Sequence, residues 1–118
     1  MGDVTDFDFV VRATAGVEAV IHLAGNPSMS APWSSCRDDN LLGTYHVFEA
    51  ARMNGVKKVV FASTNHVTGF EELEDRRSGP QSPIRPDCLY AVSKAAGEAL
   101  ARYYADEYGM SMLCLRIG

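Results

Sequence analysis

The order of apolar runs along the chain constrains its fold more than any other feature. Three β-rich apolar runs alternate with two long segments of helical periodicity, and a glycine follows each helical segment. We predict strands at residues 17–24, 56–63 and 110–117, long helices at 34–54 and 87–108, a short helix at 8–16 and a polar loop at 69–88. Strands and helices that alternate at this spacing indicate right-handed βαβ units and an α/β fold. The nearly continuous apolar run in 56–63 is typical of a parallel strand covered on both faces.

The composition narrows the class of protein. A chain of 118 residues has room for one small domain, so we predict that residues 1–118 form a single domain. The net charge of −4 argues against nucleic acid and membrane partners, and no apolar run approaches the length of a membrane span. The three cysteines are widely spaced and form no C-x-x-C pair, which predicts reduced thiols in a cytoplasmic protein. The three histidines have no mutual metal-ligand spacing, and we predict no metal site.

The most informative local motif is Tyr90-Ala-Val-Ser-Lys94, which lies at the start of the second long predicted helix. Residues at i and i+4 share a helical face, so the Lys94 ammonium can lie beneath the Tyr90 hydroxyl. A nearby positive charge favours the phenolate and lowers the pKa of a tyrosine from about 10 toward neutrality. Tyr90 is therefore a candidate general acid/base, although the same spacing also occurs on ordinary solvated helix faces.

Other polar residues converge on the same edge of the predicted sheet. His22-Leu23-Ala24-Gly25 ends one predicted strand, Ser63-Thr64-Asn65-His66 ends the next, and Tyr90 begins the following helix. Ligands of open α/β sheets bind beyond the carboxyl ends of the strands, which favours a functional site here. We interpret His22 as a core histidine, His66 as a functional residue and Cys88 as incidental.

These residues, with Asn40-x-x-Gly43-Thr44 on the preceding helix, resemble the extended short-chain dehydrogenase/reductases. That family contains NAD(P)-dependent sugar epimerases, dehydratases and dehydrogenases. Ala31-Pro32-Trp33 and Arg116-Ile117-Gly118 are similar to motifs of the uronate dehydrogenases, and equally to those of the archaeal NAD-dependent glucose-6-phosphate dehydrogenases. Val67-Thr68-Gly69 departs from the Val-Tyr-Gly that epimerases carry, which counts against a UDP-sugar epimerase.

The resemblance implies a role for each matching position. Tyr90 would be the base, Thr64 would hydrogen-bond the reacting oxygen, and Asn40 would anchor a water that links Lys94 to solvent. The cofactor implied is NAD, and the residues implied to bind it are Asp3, Val4, Leu23, Ala24, Gly25, Ser63, Tyr90 and Lys94. The residues implied to contact the substrate are Asn65, His66 and Ser28. The reaction implied is oxidation at C1 of a uronic acid or sugar phosphate to a lactone.

The phosphate-binding loop of a dinucleotide fold is missing, because the sequence contains no G-x-G-x-x-G. The resemblance implies a partial Rossmann-like doubly wound parallel sheet of about the third to sixth strands, in which Asp3 lies on the third. We therefore expect an internal fragment of a longer enzyme that is inactive alone and forms a homodimer through its two long helices. Two alternatives stay open: a nucleotide-sugar epimerase or dehydratase, and a non-catalytic Rossmann remnant that acts as an interaction module.

Overall fold

The predicted α/β fold is confirmed by the structure, a computed structural model that describes residues 2–74 and 77–118. In this part of the chain one parallel sheet has the order β1 (Ala19–His22), β2 (Lys58–Thr64) and β3 (Ser111–Ile117). Val59 in the central strand lies opposite Val20 on one side and Met112 on the other. The carboxyl ends of the three strands therefore meet at one edge, as the sequence pattern predicts.

The two long helical segments begin and end within two residues of their predicted bounds, and the short first helix ends three residues earlier than predicted. The helices are α1 (Phe7–Ala13), α2 (Trp33–Ser35), α3 (Gly43–Met53), α4 (Gly69–Leu73) and α5 (Leu89–Tyr108). Helix α5 ends where Gly109 adopts a φ of +66°, and its N–H bonds the Ala105 carbonyl. This left-handed conformation favours glycine, which explains the predicted stop signal.

The predicted helix at 34–54 contains a π-helical stretch at Cys36–Leu42, between α2 and α3. At its end the Gly43 N–H reaches back five residues to the Asp38 carbonyl. Such wide turns are rare and occur frequently at functional sites. This one carries Asn40.

Two predictions about the chain outside the main elements were wrong. The loop predicted at 69–88 begins with α4, which follows a 3₁₀ helix at Asn65–Thr68. Asp3 and Val4 do not form the additional strand, and among the described residues the sheet has three strands. The Asp3 carboxylate instead accepts a hydrogen bond of 2.8 Å from the Thr5 N–H. A strand needs a hydrogen-bonded neighbour, and no strand of the described sheet pairs with the backbone at Asp3.

The core lies between one face of the sheet and helices α1, α3 and α5. Val59 and Phe61 point into it from the central strand, and the rings of Phe48 and Tyr104 meet edge to face there. The opposite face of the sheet is apolar but open, so the prediction that both faces are covered was wrong. The large apolar side chains that are exposed on the two outer strands are Ile21, Leu113, Leu115 and Ile117. None of the described helices is long and apolar enough to cross a membrane.

His22 is a core histidine, as the sequence analysis interprets it. Its Nε2 lies 3.0 Å from the Thr44 hydroxyl, and its ring packs against Phe61 with 5.6 Å between the ring centroids. Burial, and then the charge of Lys94, lower the pKa of His22 from 6.5 to about 4. The imidazole is therefore neutral in the folded chain at pH 7.

We expect acid to destabilise the chain through His22. In the unfolded chain His22 takes up a proton near pH 6.5, but in the folded chain it does so only at about pH 4. The neutral imidazole therefore contributes its full stabilisation above pH 6.5, and this stabilisation is lost as the pH falls to about 4. The difference between the two pKa values of His22 corresponds to about 3 kcal/mol of stability at most. Denaturant unfolding of His22→Gln at pH 7 and pH 4.5 measures it, with His46→Gln as the control. A loss of stability in the His22→Gln variant as steep as in the parent chain would contradict this account.

Candidate active site

Tyr90 and Lys94 lie in the first two turns of α5, and both side chains are buried. The Lys94 ammonium lies 4.9 Å from the centroid of the Phe61 ring and 5.8 Å from that of the Tyr90 ring. Lys94 is only 5 % exposed, and no carboxylate of the described residues forms a salt bridge with it. Burial accordingly lowers the pKa of Lys94. A buried ammonium without an acidic partner is unusual for a structural lysine and indicates a binding role.

The predicted lowering of the Tyr90 pKa by Lys94 is wrong for this chain. Burial raises the pKa of Tyr90, and a hydrogen bond with Thr64 only partly opposes that effect. The physical reason is geometric: the Lys94 ammonium lies nearer to the Phe61 ring than to the Tyr90 ring. Its charge therefore does not offset the cost of desolvating a phenolate.

Thr64 ends β2 and lies beside Tyr90, as the resemblance implies. Its hydroxyl accepts a hydrogen bond of 3.2 Å from the His66 N–H, which caps the 3₁₀ helix. It also lies close enough to Tyr90 to lower the pKa of that phenol. The same hydroxyl lies 3.3 Å from the Asn65 Oδ1. Two hydroxyl groups that can bind one oxygen atom of a ligand are thus held together at the edge of the sheet.

Asn40 fastens the loop after β1 to α5. Its Oδ1 accepts from the Asn26 N–H at 2.7 Å, and its Nδ2 donates to the Asn26 carbonyl at 3.1 Å and to the Ser93 hydroxyl at 3.0 Å. Gly25 has a φ of +140°, and a Cβ there would lie 2.6 Å from the Asn40 Oδ1. Asn40 thus positions the backbone next to Lys94, and its predicted bond to a water stays a prediction. Sequence reasoning missed Asn26 and Ser93, although Ser93 directly precedes Lys94.

Two clefts run along the carboxyl end of β1 and share Gly25 and Asn26. One has a volume of about 240 Å³ and reaches Tyr90 and Lys94; the other has a volume of about 300 Å³ and reaches Asp3. The residues predicted to bind the cofactor all line one cleft or the other, namely Asp3, Val4, Leu23, Ala24, Gly25, Ser63, Tyr90 and Lys94. The unpaired ammonium and the side-chain-free backbone at Gly25 fit a group rich in hydroxyl and phosphate oxygens.

The residues predicted to contact the substrate do not lie in one cleft. Asn65 lines a third cleft of about 420 Å³ with Glu98, Arg116 and other residues. The His66 Nδ1 lies 2.9 Å from Asp87 Oδ2, a partner that the sequence analysis missed. Ser28 is exposed, lies 3.0 Å from the Ser30 hydroxyl, and is not among the residues that line these three clefts.

A partly buried ionic network holds the end of β2 against α5. The Ser63 hydroxyl donates to Glu98 at 2.6 Å, and Arg116 binds the same carboxylate through Nε and Nη2 at 2.9 and 2.8 Å. Burial works against ionisation of Glu98, but these hydrogen bonds hold its pKa below the ordinary value. The Ser63 hydroxyl is thus engaged by protein. Glu98 is one helical turn beyond Lys94, a spacing from which its position could have been predicted.

Known proteins resemble this chain over nearly all of its length. A family model described as "NAD dependent epimerase/dehydratase family" matches residues 1–118. An NAD-dependent glucose-6-phosphate dehydrogenase of Haloferax volcanii is 46 % identical over all of this chain and 49 % of its own length. A uronate dehydrogenase of Pseudomonas syringae is 42 % identical over 98 % of this chain and 42 % of its own length.

A solved structure, titled a mutated uronate dehydrogenase, superposes with a TM-score of 0.92 at 43 % identity, over 98 % of this chain and 42 % of that one. The chain spans half or less of the length of the curated relatives it matches here. The predicted resemblance to dehydrogenases of this group is confirmed. The chain belongs to the NAD dependent epimerase/dehydratase family.

Proposed function

We propose that this chain supplies the catalytic residues of an NAD-dependent sugar dehydrogenase that oxidises C1 of a uronic acid or sugar phosphate to a lactone. The observation that supports this most strongly is the pair of Thr64 and Tyr90 hydroxyls beside the buried Lys94 ammonium, which has no acidic partner among the described residues. Relatives that share 42–46 % of their residues with the chain are named for oxidation of a uronate and of glucose 6-phosphate.

In this mechanism the sugar C1 hydroxyl binds between the side chains of Tyr90 and Thr64. Thr64 donates a hydrogen bond to the reacting oxygen, and Tyr90 in its phenolate form removes the proton as the C1–H bond breaks. Because burial raises the pKa of Tyr90, the phenolate is a minor form that higher pH favours. NAD, when bound, accepts the hydride from C1. Lys94, Ala24 and Gly25 would hold the nicotinamide end of NAD, and Asp3 and Val4 would lie at the adenine end.

Substrate recognition is proposed for Asn65 and His66, which follow Thr64 on the 3₁₀ helix. Both side chains offer hydrogen bonds to sugar hydroxyls, and His66 is in addition partly exposed. Ser28 would contribute only if the loop that carries it moved toward the site.

We expect the 118-residue chain alone to bind NAD weakly or not at all. Its sequence contains no glycine-rich loop to bind the pyrophosphate at a helix N-terminus, and this interaction anchors the cofactor in dinucleotide folds. Isothermal titration calorimetry with NAD measures it. A micromolar affinity would contradict this prediction, because it would show that the clefts beside Asp3 and Lys94 bind NAD without a glycine-rich loop.

A graft tests the proposed function itself. Residues 1–118 replace the aligned segment of the Pseudomonas syringae uronate dehydrogenase, so that the host supplies the remaining part of the fold. The folded graft is expected to form NADH from glucuronate, galacturonate or glucose 6-phosphate. If the chain is a non-catalytic interaction module, the graft will fold and bind NAD without forming NADH.

We also propose that the protein forms a homodimer in the cytoplasm. The segment from Trp33 to Met53 and helix α5 are the two long helical elements, and exposed apolar side chains on them, Leu42, Tyr45, Val92 and Tyr103, support an interface. The three free thiols support a reducing compartment. Light scattering that finds only the monomer mass at micromolar concentration would contradict the dimer.

A further inference from the structure

We propose a binding site for a zinc ion formed by His66, Asp87 and Cys88. The ligand atoms of these three side chains all lie within 4.8 Å of one another. They come from two segments that meet only in the fold: His66 lies on the 3₁₀ helix after β2, and the other two directly precede α5. The prediction of no metal site considered only spacings among histidines and among cysteines, so it could not detect this mixed set.

The three donors match the preferences of zinc. Imidazole nitrogen, carboxylate oxygen and thiolate sulfur are its usual ligands, at about 2.0–2.3 Å. Tetrahedral binding would place the donor atoms roughly 3.3–3.7 Å from one another, by the geometry of those bond lengths. The His66 Nδ1 and Asp87 Oδ2 are now 2.9 Å apart, so side-chain rotations that move these atoms apart by less than about an ångström would make room for the ion. A carboxylate and a thiolate together also neutralise the charge of a divalent cation.

The second observation is an unused acceptor on Asp87. Among the described residues no hydrogen bond reaches its buried Oδ1, although the side chain is only 12 % exposed. Buried carboxylate oxygens normally have a partner. A cation at the centre of the three side chains could take up this lone-pair capacity without breaking the polar contacts of other residues.

The backbone around the site is held in place before any ion arrives. The Phe70 N–H bonds the Arg85 carbonyl at 3.1 Å, and the Arg85 N–H bonds the Val67 carbonyl at 2.8 Å. These bonds fix the segment before Asp87 against the 3₁₀ helix. Gly69 leaves room for Asp87, because a Cβ there would lie 2.1 Å from the Asp87 Oδ2. Preorganised ligands lose little conformational entropy on binding, which favours affinity.

The site has an open side. His66 is 29 % exposed, so an ion can enter from solvent, and three protein ligands leave the fourth position of a tetrahedron for water. Metal binding does not depend on the proposed dehydrogenase function. If that function also holds, zinc withdraws His66 from the sugar and lies two residues from Tyr90, so it would inhibit the enzyme.

Cobalt(II), a spectroscopic substitute for zinc, tests the proposal on the chain as it is, without sugar or cofactor. We expect one equivalent of cobalt to produce a sulfur-to-metal charge-transfer band and tetrahedral visible bands, and added zinc to remove them. Cys88→Ser should abolish the charge-transfer band, whereas Cys36→Ser and Cys114→Ser should retain it. His66→Gln should lower the zinc affinity measured by calorimetry by at least about 100-fold, the upper range for the loss of an outer partner.

Circular dichroism of each variant separates loss of a ligand from loss of the fold. A charge-transfer band that persists in Cys88→Ser would overturn the site, as would zinc affinity unchanged in a folded His66→Gln chain. Absence of any cobalt or zinc binding to the folded parent chain would overturn it as well. None of these outcomes bears on NADH formation by the graft, so the two proposals fail independently.

Discussion

Replacing Glu98 with alanine is expected to lower the free energy of unfolding by about 2–3 kcal/mol, below the cost of about 3–5 kcal/mol for a fully buried ion pair because this pair is partly exposed. The Glu98 and Arg116 side chains are 14 % and 21 % exposed, and the guanidinium binds the carboxylate through two nitrogens. The substitution leaves the Arg116 charge and the Ser63 hydroxyl without their partner. Denaturant unfolding at pH 7 measures the loss.

The matched control is Asp106→Ala on the same helix. Asp106 also pairs with an arginine, Arg102, at 2.7 Å, but the two side chains are 61 % and 78 % exposed. Solvent screens such a pair, so the control should lose far less stability. Equal losses in the two variants would show that the network at the end of β2 contributes no more than a surface pair.

The second large effect is catalytic. Tyr90→Phe in the graft is expected to lower kcat by about 10²–10⁴-fold, because it removes the general base and leaves the packing of the ring in place. The hydroxyl lost belongs to the ring that lines the cleft with Lys94 and lies near Thr64. Initial rates of NADH formation at saturating sugar and NAD provide the measurement.

Tyr103→Phe is the control for this substitution, since Tyr103 lies on the same helix but is half exposed and packs against Tyr104 and Tyr108. It should leave the rate unchanged. A Tyr90→Phe graft that retains most of its activity would mean that another group, or water, removes the proton.

The positions of the secondary-structure elements could be predicted because periodicity records which face of each element is buried. The glycine stops after α3 and α5 followed from backbone stereochemistry, and the φ values of Gly55 and Gly109 are positive. The π-helical stretch around Asn40 could not be predicted, because one extra residue in a turn hardly changes the apolar period. The missing strand at Asp3 depends on a neighbouring strand, which local sequence does not reveal.

Part of the candidate active site could also be predicted from the sequence, and part could not. Thr64 could be placed near Tyr90 and Lys94 because Thr64 ends a strand, and the other two residues share one face of the helix that begins at the same edge of the sheet. The direction of the Tyr90 pKa shift could not, since it depends on where the Lys94 ammonium lies and how deeply the ring is buried. The contact between His66 and Asp87 joins residues 21 positions apart, and no local spacing encodes it.

The rate of NADH formation by the graft carrying residues 1–118 tests the central claim most directly. Every residue assigned to proton removal and to the nicotinamide end of the cleft then comes from this chain, and the host supplies the phosphate loop. We predict turnover of glucuronate, galacturonate or glucose 6-phosphate that is lost in Tyr90→Phe. A folded graft that binds NAD but forms no NADH from any of the three sugars would contradict the account.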